Sequence, residues 1–175
     1  MRLSFCMLMF SHEVVAVGRL LCGYNSKKRR DKMMRNISLI VVHCTAGRQT
    51  QCAADIVRYH TLPRRQGGLG WSTPGYHYIV EPSGFVAQIV PDREIANGVK
   101  GHNGNSIHVA YIGGVDASRP GLPPLDNRTE AQKRSLRELL QRLRKLYPSA
   151  RIVGHRNLAR KACPSFDAKK EYADI

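Results

Sequence analysis

The alternation of apolar and polar positions divides the chain into a series of short elements. Residues 37–42 (ISLIVV) form a nearly continuous β-branched run, the pattern of a strand buried on both faces, which ends at His43-Cys44-Thr45. Thr50 is placed to cap a helix over residues 51–60, with Ala53, Ile56, Val57 and His60 on one face. Pro63 and the run Gln66-Gly67-Gly68-Leu69-Gly70 mark a long loop. Residues 76–80 and 85–90 read as two strands joined by Glu81-Pro82-Ser83-Gly84, a turn sequence suited to a hairpin. Residues 106–112 (SIHVAYI) give another strand, closed by Gly113-Gly114 and followed by a Pro/Gly-rich loop over 116–127.

The strongest helical signal follows. Leu136, Leu139, Leu140, Leu143, Leu146 and Tyr147 fall on one stripe, and Thr129-x-x-Gln132 has capping-box spacing at its start. Arg134, Arg137, Arg142, Arg144 and Lys145 lie off the stripe and are expected in solvent. Residues 151–153 make a last short strand before Gly154-His155. The order β-α-β-β-β-α-β predicts an α/β fold with a single mixed β-sheet flanked by helices, its strand order left open.

The first 33 residues break this pattern. MRLSFCMLMF begins like a signal peptide, but the apolar run stops at Ser11-His12-Glu13 and no convincing cleavage site follows. SKKRRDK then reads as a solvated linker. The expected organisation is a basic N-terminal tail over 1–33, outside the fold, and one domain over 34–175.

Composition narrows the function classes. No apolar stretch is long enough for a transmembrane helix, and 42% hydrophobic residues argue against disorder throughout. The five cysteines form no CxxC and no regular framework, so a disulfide scaffold is a poor reading. The net charge of +15 implies an anionic partner: nucleic acid, phospholipid or cell-wall polymer. Eight Lys/Arg against two acids in the first 35 residues concentrate part of that charge at the N-terminus.

Position singles out three residues. His43 and His155 sit at strand ends, where loops build sites, and Cys163 follows His155 closely. Two imidazoles and a thiolate suit zinc, and three protein ligands leave a fourth tetrahedral position open, as in catalytic zinc sites. On spacing alone the signal is modest, since strand-end histidines are common. A nucleophilic Cys44 paired with His43 is the competing reading, but adjacent strand residues point to opposite faces. His60 reads as structural, His108 as either core or surface, and His102, in the Gly/Asn-rich loop 101–105, as a candidate binding residue.

Four segments occur in a telling order: VVHCTA (41–46), GWSTPGYHYIV (70–80), NSIHVAYIGG (105–114) and GHRNLARKACPSFD (154–167). As a set they resemble the type 2 N-acetylmuramoyl-L-alanine amidases, the superfamily that includes the peptidoglycan recognition proteins, and most of all the phage lysozymes that are amidases. The resemblance covers the chain from about Met34 to its end. It implies an amidase/peptidoglycan-recognition-protein-like fold with a Zn2+ site whose ligands are His43, His155 and Cys163. It implies catalytic support from Tyr76, in the GYH motif, and from Lys161, two residues before the cysteine. Zinc would polarise the amide carbonyl and activate the attacking water, while Lys161 would stabilise the negative charge that gathers on oxygen. Trp71, His77 and His102 are candidate substrate-binding residues. Phage-type relatives often carry a histidine where this chain has Gly98, with His102 four residues later, so the substrate-contacting surface is expected to differ there.

The implied function is zinc-dependent hydrolysis of the amide between N-acetylmuramic acid and L-alanine in peptidoglycan, that is, cell-wall lysis. The alternative is a non-catalytic peptidoglycan-binding module; recognition proteins of that kind lack the ligand cysteine, and Cys163 is present. Wall-recycling relatives usually carry aspartate at that position. The expected partner is peptidoglycan, with no nucleic acid (no RRM-like or zinc-finger motif is present) and no membrane span, and a monomer is expected. Action on the wall, periplasmic or extracellular, is expected after synthesis in the cytoplasm and release during lysis.

Overall fold

The computed structural model describes residues 35–175. The readings made above for the N-terminal tail lie outside the described residues. Strand β1 (Leu39–Cys44) is an interior strand, flanked by two parallel neighbours, β4 (Ser106–Tyr111) and β5 (Arg151–Gly154). Strand β2 (Tyr78–Val80) runs parallel to β4 and antiparallel to β3 (Val86–Gln88), giving one five-stranded mixed sheet of order β3-β2-β4-β1-β5. The predicted sheet class holds.

The sheet has two different faces. On one, Ile40, Val42, Val109 and Tyr111 pack under helix α2 (Glu130–Leu146), whose Leu136, Leu139, Leu140 and Leu143 are buried. Each such leucine contributes about 1.5–3 kcal/mol of apolar burial. The capping box forms as read: Gln132 N–H donates to Thr129 Oγ1 at 3.0 Å, and Thr129 N–H to Gln132 Oε1 at 3.1 Å. Gln132 also donates from Nε2 to the carbonyls of Val80 and Ile112, satisfying strand ends that its own helix covers. On the opposite face, Ile79 and Ile112 pack under helix α1 (Ala53–Thr61) through Ala53 and Ile56.

Several boundaries move. Strand β1 runs through His43 and Cys44 because Ala110 and Tyr111 of β4 continue to pair with them. Helix α1 starts after Cys52, whose N–H donates to the Asp55 carboxylate at 2.9 Å, so Thr50 is not the cap. The hairpin strands are shorter than their apolar runs. Arg144 is not a solvated charge: its guanidinium is half-buried and donates to the carbonyls of Ala150 and Ile175, tying helix α2 to the chain's end.

The short C-terminal helix α3 (Ala168–Glu171) is held by Arg128. Arg128 is 2% exposed, sits between Asp126 and Glu171 with N–O distances of 2.8 Å, and lies 3.3 Å over the Phe166 ring. It therefore pins the segment that carries Cys163. Arg128→Ala should lower stability by about 3 kcal/mol, because it strands two carboxylates and uncovers an aromatic face. A thermal melt checks this; a shift within experimental error would mean the pairs are solvated. The guanidinium outweighs the burial of Asp126 and holds its carboxyl below the usual range. That contribution is present above about pH 4 and fades as the pH falls further, so the difference between parent and variant should narrow in acid.

Candidate metal centre

His43 occupies the C-terminal end of strand β1, facing the α1 side of the sheet, and is 1% exposed. His155 opens the 3-10 turn His155–Asn157 directly after β5, so two neighbouring parallel strands deliver the two imidazoles, with ring centroids 4.8 Å apart. Cys163 arrives on the following loop. Tyr111 donates its hydroxyl to the Pro164 carbonyl at 2.6 Å, Ser165 its hydroxyl to Gly114 at 2.7 Å, and Arg156 its N–H to the Cys163 carbonyl at 2.8 Å. These three bonds fix the loop against the sheet.

One ligand atom from each of His43, His155 and Cys163 lies within 4.8 Å of the other two, and Cys163 Sγ is 3.8 Å from His43 Nδ1. Tetrahedral bonds of about 2.0–2.3 Å place ligand atoms roughly 3.5 Å apart, so the cluster fits a zinc-sized ion with small adjustments. The electrostatics suit a cation. Burial, together with His108 and His155, keeps His43 neutral by holding its pKa well below the ordinary value, and burial and Lys161 lower that of His155. Neutral imidazoles offer lone pairs. The backbone N–H of Cys44 donates to Cys163 Sγ at 3.1 Å. The neighbouring Cys44 thiol and burial push the Cys163 thiol up, because the two sulfurs cannot both carry charge without a cation beside them. As expected from strand geometry, the Cys44 side chain belongs to the opposite, α2-covered face.

The model for the N-acetylmuramoyl-L-alanine amidase family matches residues 33–166. The chain belongs to this family. It is 38% identical over 135 residues to the endolysin of Klebsiella phage KP32, covering 76% of this chain and 83% of that protein. The solved Ph2119 endolysin from a Thermus scotoductus bacteriophage superposes with a TM-score of 0.63 at 30% identity, covering 86% of this chain and 94% of the other. Apis mellifera PGRP-SA shares the fold, with a TM-score of 0.62 at 16% identity over 81% of this chain and 84% of its own. The activity of the chain is accordingly that of a peptidoglycan amidase, hydrolysing the amide between N-acetylmuramic acid and L-alanine.

In this amidase, Tyr76 lies against the candidate centre, its ring 5.2 Å from that of His43. Burial, with the two thiols adding to it, holds its phenol far above the ordinary value, so it stays protonated and can donate a hydrogen bond. Lys161 is exposed and close enough to His155 to lower that group's pKa. Trp71 stacks on His60 at 4.9 Å, and His60 in turn meets the Tyr76 ring at 5.2 Å. His60 is structural as expected, accepting the Gly75 N–H on Nδ1. Trp71 thus props the wall behind Tyr76 while remaining half-exposed.

The other two binding candidates part ways. His77 is fully buried: its Nδ1 accepts the His108 N–H at 2.9 Å, and its Nε2 lies 3.1 Å from the Glu94 carbonyl. It holds strands together and presents no edge to a substrate. His102 caps the 3-10 turn Asn103–Asn105 and is half-exposed. His108, left open between core and surface, is fully buried, its Nδ1 3.1 Å from His43 Nε2. Pairing opposite Val41 puts it on the His43 face, and that pairing depends on strand order, which local pattern does not encode. A cavity of about 620 Å³ opens near Leu39, Arg151 and Ile175, where β1 and β5 begin, and thus at the other end of the sheet from the cluster.

Proposed function

We propose that this amidase is zinc-dependent, with His43, His155 and Cys163 as the metal ligands and Tyr76 and Lys161 as the catalytic groups. The observation that carries the reading is the convergence of two neutral imidazoles and a thiol within 4.8 Å, with a backbone N–H aimed at the sulfur. A bound zinc ion supplies a Lewis acid for the amide carbonyl and an activated water near neutral pH. The chain's own groups then act on charge. The Lys161 ammonium, at the rim beside His155, offsets the negative charge that develops on the carbonyl oxygen as the amide carbon becomes tetrahedral. Tyr76, protonated throughout, donates to the same oxygen or orients the attacking water. The partly exposed Trp71 and His102 are the groups placed to meet the glycopeptide.

The proposed catalytic domain spans 34–175, in line with the span of the family match, and acts on the cell wall after release during lysis, in line with the endolysin relatives; it is proposed to act as a monomer. A purely binding module is disfavoured by the presence of Cys163 in the cluster. Digestion of purified peptidoglycan tests the reading: new free amino groups should appear without new reducing sugar ends. Binding without release of amino groups would instead support the recognition module.

The net charge of +15 should steer the enzyme to anionic walls. Exposed charges are screened beyond about 8 Å at physiological ionic strength. Clearing of intact walls should therefore fall as salt rises towards about half molar, while turnover of a small soluble muramyl-peptide changes little. Equal salt sensitivity on both substrates would show that the charge does not act through association.

A further inference from the structure

We infer that His108 is a positioning residue for the metal centre, accepting the Nε2–H of His43 and so fixing the tautomer in which His43 Nδ1 presents its lone pair to a cation. The inference rests on the zinc reading above. A neutral imidazole has one donor and one acceptor nitrogen. His43 Nδ1 faces Cys163 Sγ, and its Nε2 is 3.1 Å from His108 Nδ1 on the side away from the cluster. Metal ligation through Nδ1 therefore requires the proton on Nε2, and that proton needs a buried acceptor. His108 Nδ1 is the one in place.

Three observations set His108 apart from an ordinary core residue. It is fully buried at a position of the central sheet whose strand neighbours Ile107 and Val109 are apolar. Among the described residues its only side-chain hydrogen bond is the one to His43, and its Nε2 is buried without a partner. An unmatched buried polar group loses its hydration without recompense, so an apolar residue would serve the core better. The loop facing it makes room for the ring: a Cβ at Gly98 would lie 2.5 Å from both Cγ and Nδ1 of His108. Two positions distant in sequence are thus matched to hold one imidazole behind His43, and stacking on His77, 5.7 Å away, fixes its plane.

Zinc affinity, measured by chelator competition, tests this alongside the melting temperature of the metal-free protein. His108→Leu fills the space without an acceptor and should weaken zinc binding about 10- to 100-fold, the usual cost of losing such a partner, while leaving the metal-free melt unchanged or higher. His108→Asn restores an acceptor near the Nδ1 position and should recover most of the affinity. Gly98→Ala displaces the ring and should weaken zinc binding in the parent but not further in the His108→Leu background. A purely structural role would instead lower the metal-free melt and leave affinity unchanged. Leucine and parent binding zinc alike, or asparagine binding no better than leucine, would overturn the assignment. Gly98→Ala decides the matter if the leucine variant does not fold, since unchanged affinity there would also overturn it. Failure of the parent itself to bind zinc would overturn the metal reading instead.

Discussion

His43→Ala, His155→Ala and Cys163→Ser should each reduce amidase turnover by about a hundredfold or more and lower bound zinc in parallel, because each leaves two strong protein ligands where catalytic zinc needs three. The three losses should not be identical in character. His43 is 1% exposed, so its removal also opens a hole in front of His108 and should cost some stability. His155 and Cys163 are only half-buried, and their substitutions should leave the fold close to the parent's. Serine keeps the size of Cys163 but replaces a soft thiolate with a hydroxyl that zinc deprotonates far less readily. Metal content and turnover measured on the same preparations decide the matter. A variant with stoichiometric zinc and full turnover would remove that residue from the ligand set.

Lys161→Ala should behave in the opposite way, keeping zinc and losing turnover. Removing one stabiliser of a developing oxyanion costs about 10²–10³ in kcat. The side chain is exposed and makes no ion pair among the described residues, so its loss should not disturb the fold. Lys161→Arg, which keeps the charge in a different shape, should recover part of the rate. Tyr76→Phe should also lower kcat with zinc retained. Because its phenol is held far above the ordinary range, no alkaline limb of the parent's pH profile near pH 10 should disappear in that variant. Loss of zinc from Lys161→Ala with normal activity per bound ion would show that the ammonium supports the metal site and not the reaction.

Much of this architecture is legible in the sequence, for reasons that differ by element. The stripe of leucines and the Thr129–Gln132 box carry helix α2 because helical periodicity and capping are local. The apolar run 37–42 announces a buried strand, but its extension to Cys44 depends on pairing with Ala110 and Tyr111, almost seventy residues away. Strand order is likewise a matter of long-range partners. Strand-end position and motif resemblance mark His43, His155 and Cys163, and the sheet brings them together because β1 and β5 are parallel neighbours. His77 is buried in the sheet and does not line the cleft. Its place in the GYH motif said nothing of the His108 N–H that occupies its ring. The roles of His108 and Arg128 are not legible locally, because a polar residue in an apolar strand or loop gives no sign of what it will meet. Glu171 lies 43 residues from Arg128, and His43 lies 65 from His108.

The most direct test of the account is to strip the purified protein of metal with a chelator, return zinc in measured fractions, and follow the release of free amino groups from peptidoglycan. Turnover should be absent in the metal-free protein and should rise in proportion to bound zinc, levelling off at about one equivalent per chain, as a single three-ligand site requires. Full amidase turnover in a protein shown to contain no metal would contradict the account.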